Sequence, residues 1–94
     1  MKSPKWLDRI LYPFDHHTTE LEHGTLHYVD EGDGEPIVFV HGTPTWSFVW
    51  RQQIKSLSRT HRCIAPDHLG FGLSDKPQDF AYTPEAHADN LELL

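Results

Sequence analysis

Cysteine is almost absent from this 94-residue chain. Cys63 stands alone, which rules out an internal disulfide framework and suits a reducing compartment, so a cytoplasmic location is expected. Basic residues are scarce as well: eight Lys plus Arg face fourteen Asp plus Glu, for a net charge of −6. Nucleic-acid binding draws on clustered Lys and Arg, and that balance argues against such a partner. Long apolar runs are missing. Nothing approaches the roughly 20 residues of a spanning helix, and MKSPKWLDRI lacks the roughly 7–15-residue apolar stretch of a secretory signal, so no membrane partner is expected. What is there is globular in kind: 37% apolar residues, 23% charged, and three Trp, three Tyr and five Phe. The length allows one small domain or part of a larger one.

The spacing of apolar residues divides the chain. Leu26 and Tyr28 alternate with His27 and Val29, a period of two that follows the turn-like pair His23-Gly24. Residues 14–22 and 25–31 are therefore expected as an antiparallel pair. Asp30 to Pro36 is a polar turn, and its carboxylates do not have the spacing of an EF-hand loop. Ile37-Val38-Phe39-Val40 is continuous rather than alternating, which predicts a strand over 37–41 covered on both faces. Trp50, Ile54 and Leu57 recur at helical spacing and predict a helix over 47–59, with Ser47 or Thr45 as its cap. Cys63-Ile64-Ala65 predicts a second apolar strand over 62–66. Strand, helix and strand in that order make a parallel βαβ unit. Thr83-Pro84-Glu85 then carries three helix-start signals, predicting a helix over 83–94 with His87, Leu91 and Leu94 on one face. An apolar stripe ending in Leu-Glu-Leu-Leu, beside an open sheet, is expected of an interrupted domain.

Two segments carry chemical information. The first, His41-Gly42-Thr43-Pro44-Thr45-Trp46-Ser47, lies at the C-terminal end of a predicted strand, where open α/β sheets place ligands. Gly42 permits a sharp turn and Pro44 fixes the backbone, so the Thr43 N–H is a candidate anion donor. A tight strand-to-helix turn with no further role is the alternative. Trp46, near the turn, is a pocket candidate, whereas Trp50 belongs to the core stripe. The second segment is Pro66-Asp67-His68-Leu69-Gly70-Phe71-Gly72-Leu73-Ser74. Gly70 and Gly72 lack the third glycine of a dinucleotide loop, and Ser74 lacks the G-x-S-x-G frame of a nucleophile. Asp67 is expected to order its loop by accepting backbone N–H groups rather than to act on His68. His16-His17 reads as a solvated loop, Cys63 as an inert core thiol, and His23 with His27 as no metal site, since no further ligand lies at suitable spacing.

HGTPTWSFVWR and CIAPDHLGFGLSDKP together resemble the start of haloalkane dehalogenases, which belong to the α/β-hydrolase superfamily with epoxide hydrolases and many esterases. The resemblance runs from about Pro36 to Leu94, with a weaker match in the preceding hairpin. It implies that residues 1–94 are the N-terminal part of a single α/β-hydrolase domain: an antiparallel hairpin, a parallel βαβ unit and the start of a further helix. It also implies hydrolytic cleavage of a carbon–halogen bond through an aspartyl ester, on a small-molecule substrate, with no metal or organic cofactor. His41, Gly42 and Thr43 match the family's oxyanion and halide turn, where Thr43 replaces the usual Asn with a shorter side chain. Asp67, Gly70, Gly72 and Ser74 match the family's loop after the fourth strand, which shapes the site without reacting, and Pro44 is a further loop-shaping candidate. The Asp nucleophile, its His base, the second carboxylate and the helical cap are expected beyond Leu94, so no catalytic residue is assigned here. An epoxide hydrolase, a serine esterase and a non-catalytic truncated chain are the alternatives.

Overall fold

The computed structural model describes residues 1–94 and contains one four-stranded mixed sheet with a helix on each face. Strand β1 (His17–Leu21) turns through Glu22 and His23 into β2 (Gly24–Glu31), in an antiparallel register from His17 opposite Tyr28 to Leu21 opposite Gly24. Gly24 sits at φ +158° beside the Asp75 side chain. The parallel pair is β3 (Pro36–Val38) and β4 (Arg62–Pro66), with Ile37 opposite Cys63. The two units are joined through β4, which also pairs antiparallel with β2, so the order is β1-β2-β4-β3. A two-toothed Arg62–Asp30 pair at 2.7 and 2.9 Å clips β4 to β2, and the guanidinium holds the Asp30 carboxyl below its ordinary range.

Alternation along β2 covers both faces. Val29 packs with Cys63, Ala65, Phe39 and Ile54, while Leu26 packs on the opposite side with Leu69 and Phe80. The first layer is closed by a 3-10 turn (Ser47–Trp50) leading into α1 (Arg51–Leu57). Ile54 is fully buried there, and Trp50 and Leu57 flank it on the face the periodicity marks out. Full burial of one such side chain contributes about 1.5–3 kcal/mol. Cys63 is likewise buried in this core, and burial pushes its thiol pKa up. The opposite layer is α2 (Pro84–Glu92), whose Thr83 Oγ1 accepts the Ala86 N–H at 3.1 Å as the sequence predicts. No helix is long and apolar enough to cross a membrane.

Several boundaries differ from expectation, each for a tertiary reason. Residues 14–16 do not pair with β2, because Tyr12 and Phe14 turn into the core and the Tyr12 hydroxyl meets Ser47 Oγ at 2.6 Å. That contact also commits the hydroxyl expected to cap the first helix; neither Ser47 nor Thr45 is a cap, and the N-cap positions are Trp46 for the 3-10 turn and Trp50 for α1. The strand over 37–41 is shorter and covered on one face only. Phe39 continues the ladder by donating its N–H to the Ile64 carbonyl at 2.8 Å, but Val38 and Val40 are 54% and 45% exposed. The reason is the strand order: β3 is the outer strand, and α2, the layer on that face, packs through Ala86 on Leu26, Leu69 and Phe80 and leaves Val38 and Val40 uncovered.

An exposed apolar edge strand is a template for association between chains. Val38→Lys is expected to lower light scattering by the 94-residue chain on concentration while leaving its far-ultraviolet dichroism unchanged. Equal scattering from both proteins would show that this edge does not drive association.

Candidate functional site

Asp67 follows β4 and is completely buried. Its Oδ1 accepts the Ser47 N–H at 2.7 Å, fastening the start of the 3-10 turn, and its Oδ2 accepts the Leu73 N–H at 3.1 Å within its own loop. Oδ2 also accepts from His27 Nδ1 at 3.0 Å. The other nitrogen of His27, Nε2, is hydrogen-bonded to His16 Nδ1 at 2.9 Å, and His16 Nε2 to the Ser3 hydroxyl at 2.6 Å. Ser74 completes the cluster: its hydroxyl donates to the Asp67 carbonyl at 2.6 Å and accepts the His27 N–H at 2.8 Å. His16 is thus half-buried and tied down rather than solvated, and His17 belongs to β1. Nothing in the spacing of the sequence announced the pairing of His27 with Asp67, forty residues apart.

The turn after β3 is set by His41, which is 4% exposed. Its Nε2 accepts the His68 N–H at 2.9 Å, which places the ring hydrogen on Nδ1, and Nδ1 donates to the Gly42 carbonyl at 2.9 Å. Thr45 adds its N–H at 2.9 Å and its hydroxyl at 2.6 Å to the same carbonyl oxygen. The Thr43 N–H makes no hydrogen bond within the chain. The Thr43–Pro44 peptide that follows is cis.

This turn opens onto a cavity of about 540 Å³ at the C-terminal ends of β3 and β4. His41, Gly42 and Thr43 line it, as do Val40, His68 and Phe71, and α2 contributes Pro84, His87, Ala88 and Leu91. The imidazoles of His41, His68 and His87 follow one another with ring centroids 4.5 Å apart at each step, the planes tilted by 57° and 41°. Burial, followed by the neighbouring rings of His41 and His87, pushes the His68 pKa down to about 4; burial and His41 lower that of His87. Both side chains therefore stand as neutral donors and acceptors at neutral pH. Neither Nδ1 has a partner within the chain.

A sequence model described as the alpha/beta hydrolase fold matches residues 35–94, well over half of the chain. The chain belongs to the α/β-hydrolase fold family. It is 50% identical, over 94% of its length, to a cis-3-alkyl-4-alkyloxetan-2-one decarboxylase from Shewanella oneidensis. Over 86% of its length it is 51% identical to haloalkane dehalogenase 2 from Mycobacterium bovis. Among solved structures, a haloalkane dehalogenase loop variant from Bradyrhizobium elkanii superposes with a TM-score of 0.77 at 34% identity, covering 84% of this chain and 27% of that one. An epoxide hydrolase from metagenomes of hot environments gives 0.76 at 39% identity, covering 85% and 28%. The chain spans about 28% of the length of both curated relatives.

Within this α/β-hydrolase segment, the residues singled out from sequence fall into two groups. His41, Gly42 and Thr43 line the cavity together. Pro44 and Trp46 do not: Trp46 turns toward the α1 layer, with its ring centroid 5.3 Å from Tyr12 and 5.4 Å from Phe48. Asp67, Gly70 and Gly72 lie behind the cavity wall. Gly72, at φ +54°, leaves space that a Cβ would take from the Asp67 carboxylate at 2.6–2.7 Å, and a Cβ on Gly70 would strike the Tyr82 ring. His68, Phe71, Tyr82 and His87 line the cavity without a sequence motif to mark them; the one available signal is the apolar face of α2, which His87 shares with Leu91 and which lines the cavity.

Neutral buried imidazoles make stability depend on pH in a defined direction. A depressed folded-state pKa means the unfolded chain takes up protons first, so the contribution is complete above the ordinary value of 6.5 and is lost as pH falls toward about 4. His16 and His87, both also lowered, act in the same sense. The urea midpoint is expected to drop between pH 7 and pH 4.5, and His68→Phe is expected to flatten that slope. A midpoint that rises on acidification would contradict the assignment.

Proposed function

We propose that this segment supplies an anion-stabilising donor to a haloalkane dehalogenase-like α/β-hydrolase, with the nucleophile, base and cap contributed from outside residues 1–94. One observation carries the reading: the Thr43 N–H is left unshared at the end of a sheet strand, on the rim of a largely apolar cavity. Displacement of halide by a carboxylate moves negative charge onto the leaving atom, and hydrolysis of the resulting ester moves it onto the carbonyl oxygen. Both charges call for fixed donors in a water-poor site. The reading involves no metal or organic cofactor. Ser74 is no nucleophile in it, being 3% exposed with its hydroxyl committed to the Asp67 carbonyl.

A second reading keeps the donor and changes the electrophile. Opening a strained oxygen ring also develops charge on oxygen, and both the epoxide hydrolase and the oxetanone decarboxylase among the similar proteins are named for such rings. Thr43 in place of the family's usual Asn leans the same way, because the shorter side chain holds a large halide less closely.

In the full-length enzyme, bromide release from a short bromoalkane is expected, measured beside turnover of styrene oxide and of an aryl ester. Thr43→Pro, which removes the N–H, is expected to lower kcat by about 10²–10³, the usual loss for one such donor. Thr43→Val is expected to cost less. Ready cleavage of the epoxide without bromide release would select the second reading, and ester cleavage alone would defeat both.

A further inference from the structure

The Gly42 carbonyl oxygen receives three donors: Thr45 N–H, Thr45 Oγ1–H and His41 Nδ1–H, at 2.9, 2.6 and 2.9 Å. That is one more than its two lone pairs accommodate in the usual way. The bond from Gly42 to Thr43 is a trans peptide, since the cis bond of this turn is the next one. A peptide unit is planar, and in the trans form its N–H points opposite to its C=O. Fixing the direction of the Gly42 carbonyl therefore fixes the direction of the Thr43 N–H, away from all three donors. Hydrogen bonds to a carbonyl also polarise its peptide and strengthen the N–H on the other side.

We infer that Thr45, acting with His41, is a positioning residue: its hydroxyl pins the Gly42 carbonyl and so aims the Thr43 N–H before any anion arrives. The inference rests on the reading of Thr43 as an anion donor. The position invites a helix cap, yet the Thr45 hydroxyl caps nothing and reaches back three residues to this one oxygen. An exposed hydroxyl–carbonyl bond contributes little to stability, so its presence is better accounted for by the peptide it orients. His41 supplies the second hold from beneath and ties it to the loop after β4 through the His68 N–H.

The test is made in the full-length enzyme with Thr45→Val, which keeps the branched shape and removes the hydroxyl, and with Thr45→Ser, which restores it. Two quantities are read: kcat with the substrate that turns over fastest among the three above, and bromide affinity from the saturable shift of the Thr43 amide resonance. Thr45→Val is expected to lower kcat and weaken bromide binding by about 2–10-fold each, the range spanned by one net hydrogen bond. KM and the melting temperature are expected to stay close to those of the unaltered enzyme, and Thr45→Ser to recover both losses. If Thr43→Pro is damaging while Thr45→Val leaves kcat and bromide affinity unchanged, the positioning role is overturned and the donor reading survives. If Thr43→Pro is harmless, the donor reading falls and this inference with it. Failure of Thr45→Val to fold, or a fall in melting temperature in step with activity that serine does not rescue, would give Thr45 a structural role instead.

Discussion

A single buried carboxylate holds this structure together. Asp67 has no access to solvent, and an ion in that position is tolerated only where hydrogen bonds replace the lost water. Its partners come from three separate places: the Ser47 N–H at the start of the first helical turn, the Leu73 N–H in its own loop, and the His27 ring on β2. One residue thus fixes a helix entrance, a glycine-rich loop and a sheet strand in mutual position. The surroundings are shaped to admit it. Gly72 leaves the space its carboxylate fills, and the Ser74 hydroxyl takes up the Asp67 carbonyl, so the residue is anchored through both backbone and side chain. Truncating the side chain, as in Asp67→Ala, would strand two N–H groups and an imidazole in a dry interior, which is costlier than never having built the cluster.

The cavity inherits its order from that cluster by one step. His68 follows Asp67 directly, and its N–H is the donor that fixes His41, which in turn fixes the carbonyl of Gly42. The turn after β3 and the loop after β4 are therefore one mechanical unit, although no side chain of Asp67 reaches the cavity. Neutral imidazoles suit such a place: the tilted rings of His68 and His87 pack together, His87 also meets Phe71, and they offer polar edges without adding net charge. No carboxylate lies among the residues that line the cavity.

Membership of the α/β-hydrolase fold family settles the architecture and leaves the reaction to the site, since one scaffold of this kind serves several chemistries. The similar proteins illustrate the point, with a dehalogenase, an epoxide hydrolase and an oxetanone decarboxylase at comparable identity.

Local chemistry made much of this protein legible in advance. Period-two alternation marked the hairpin, the Trp50–Ile54–Leu57 spacing marked the face of α1, and Thr83-Pro84-Glu85 marked the start of α2, because each signal is written within a few residues. The turn at His41–Thr43 was legible for the same reason, marked by a glycine, a proline and a strand end. What the sequence could not settle involves partners far apart in the chain. Burial of Ile37 to Val40 on both faces failed because exposure depends on strand order, and β3 is the outer strand. Trp46 packs with Tyr12 instead of lining the cavity, as Tyr12 arrives from an N-terminal segment with no periodic signal. His16, His27 and Asp67 form one relay only because β2 pairs with β4, bringing residues 40 positions apart to 3.0 Å. Spacing along a chain determines which faces and turns can form; which side chains then meet is decided by the pairing of strands, and that pairing exists only in the folded structure.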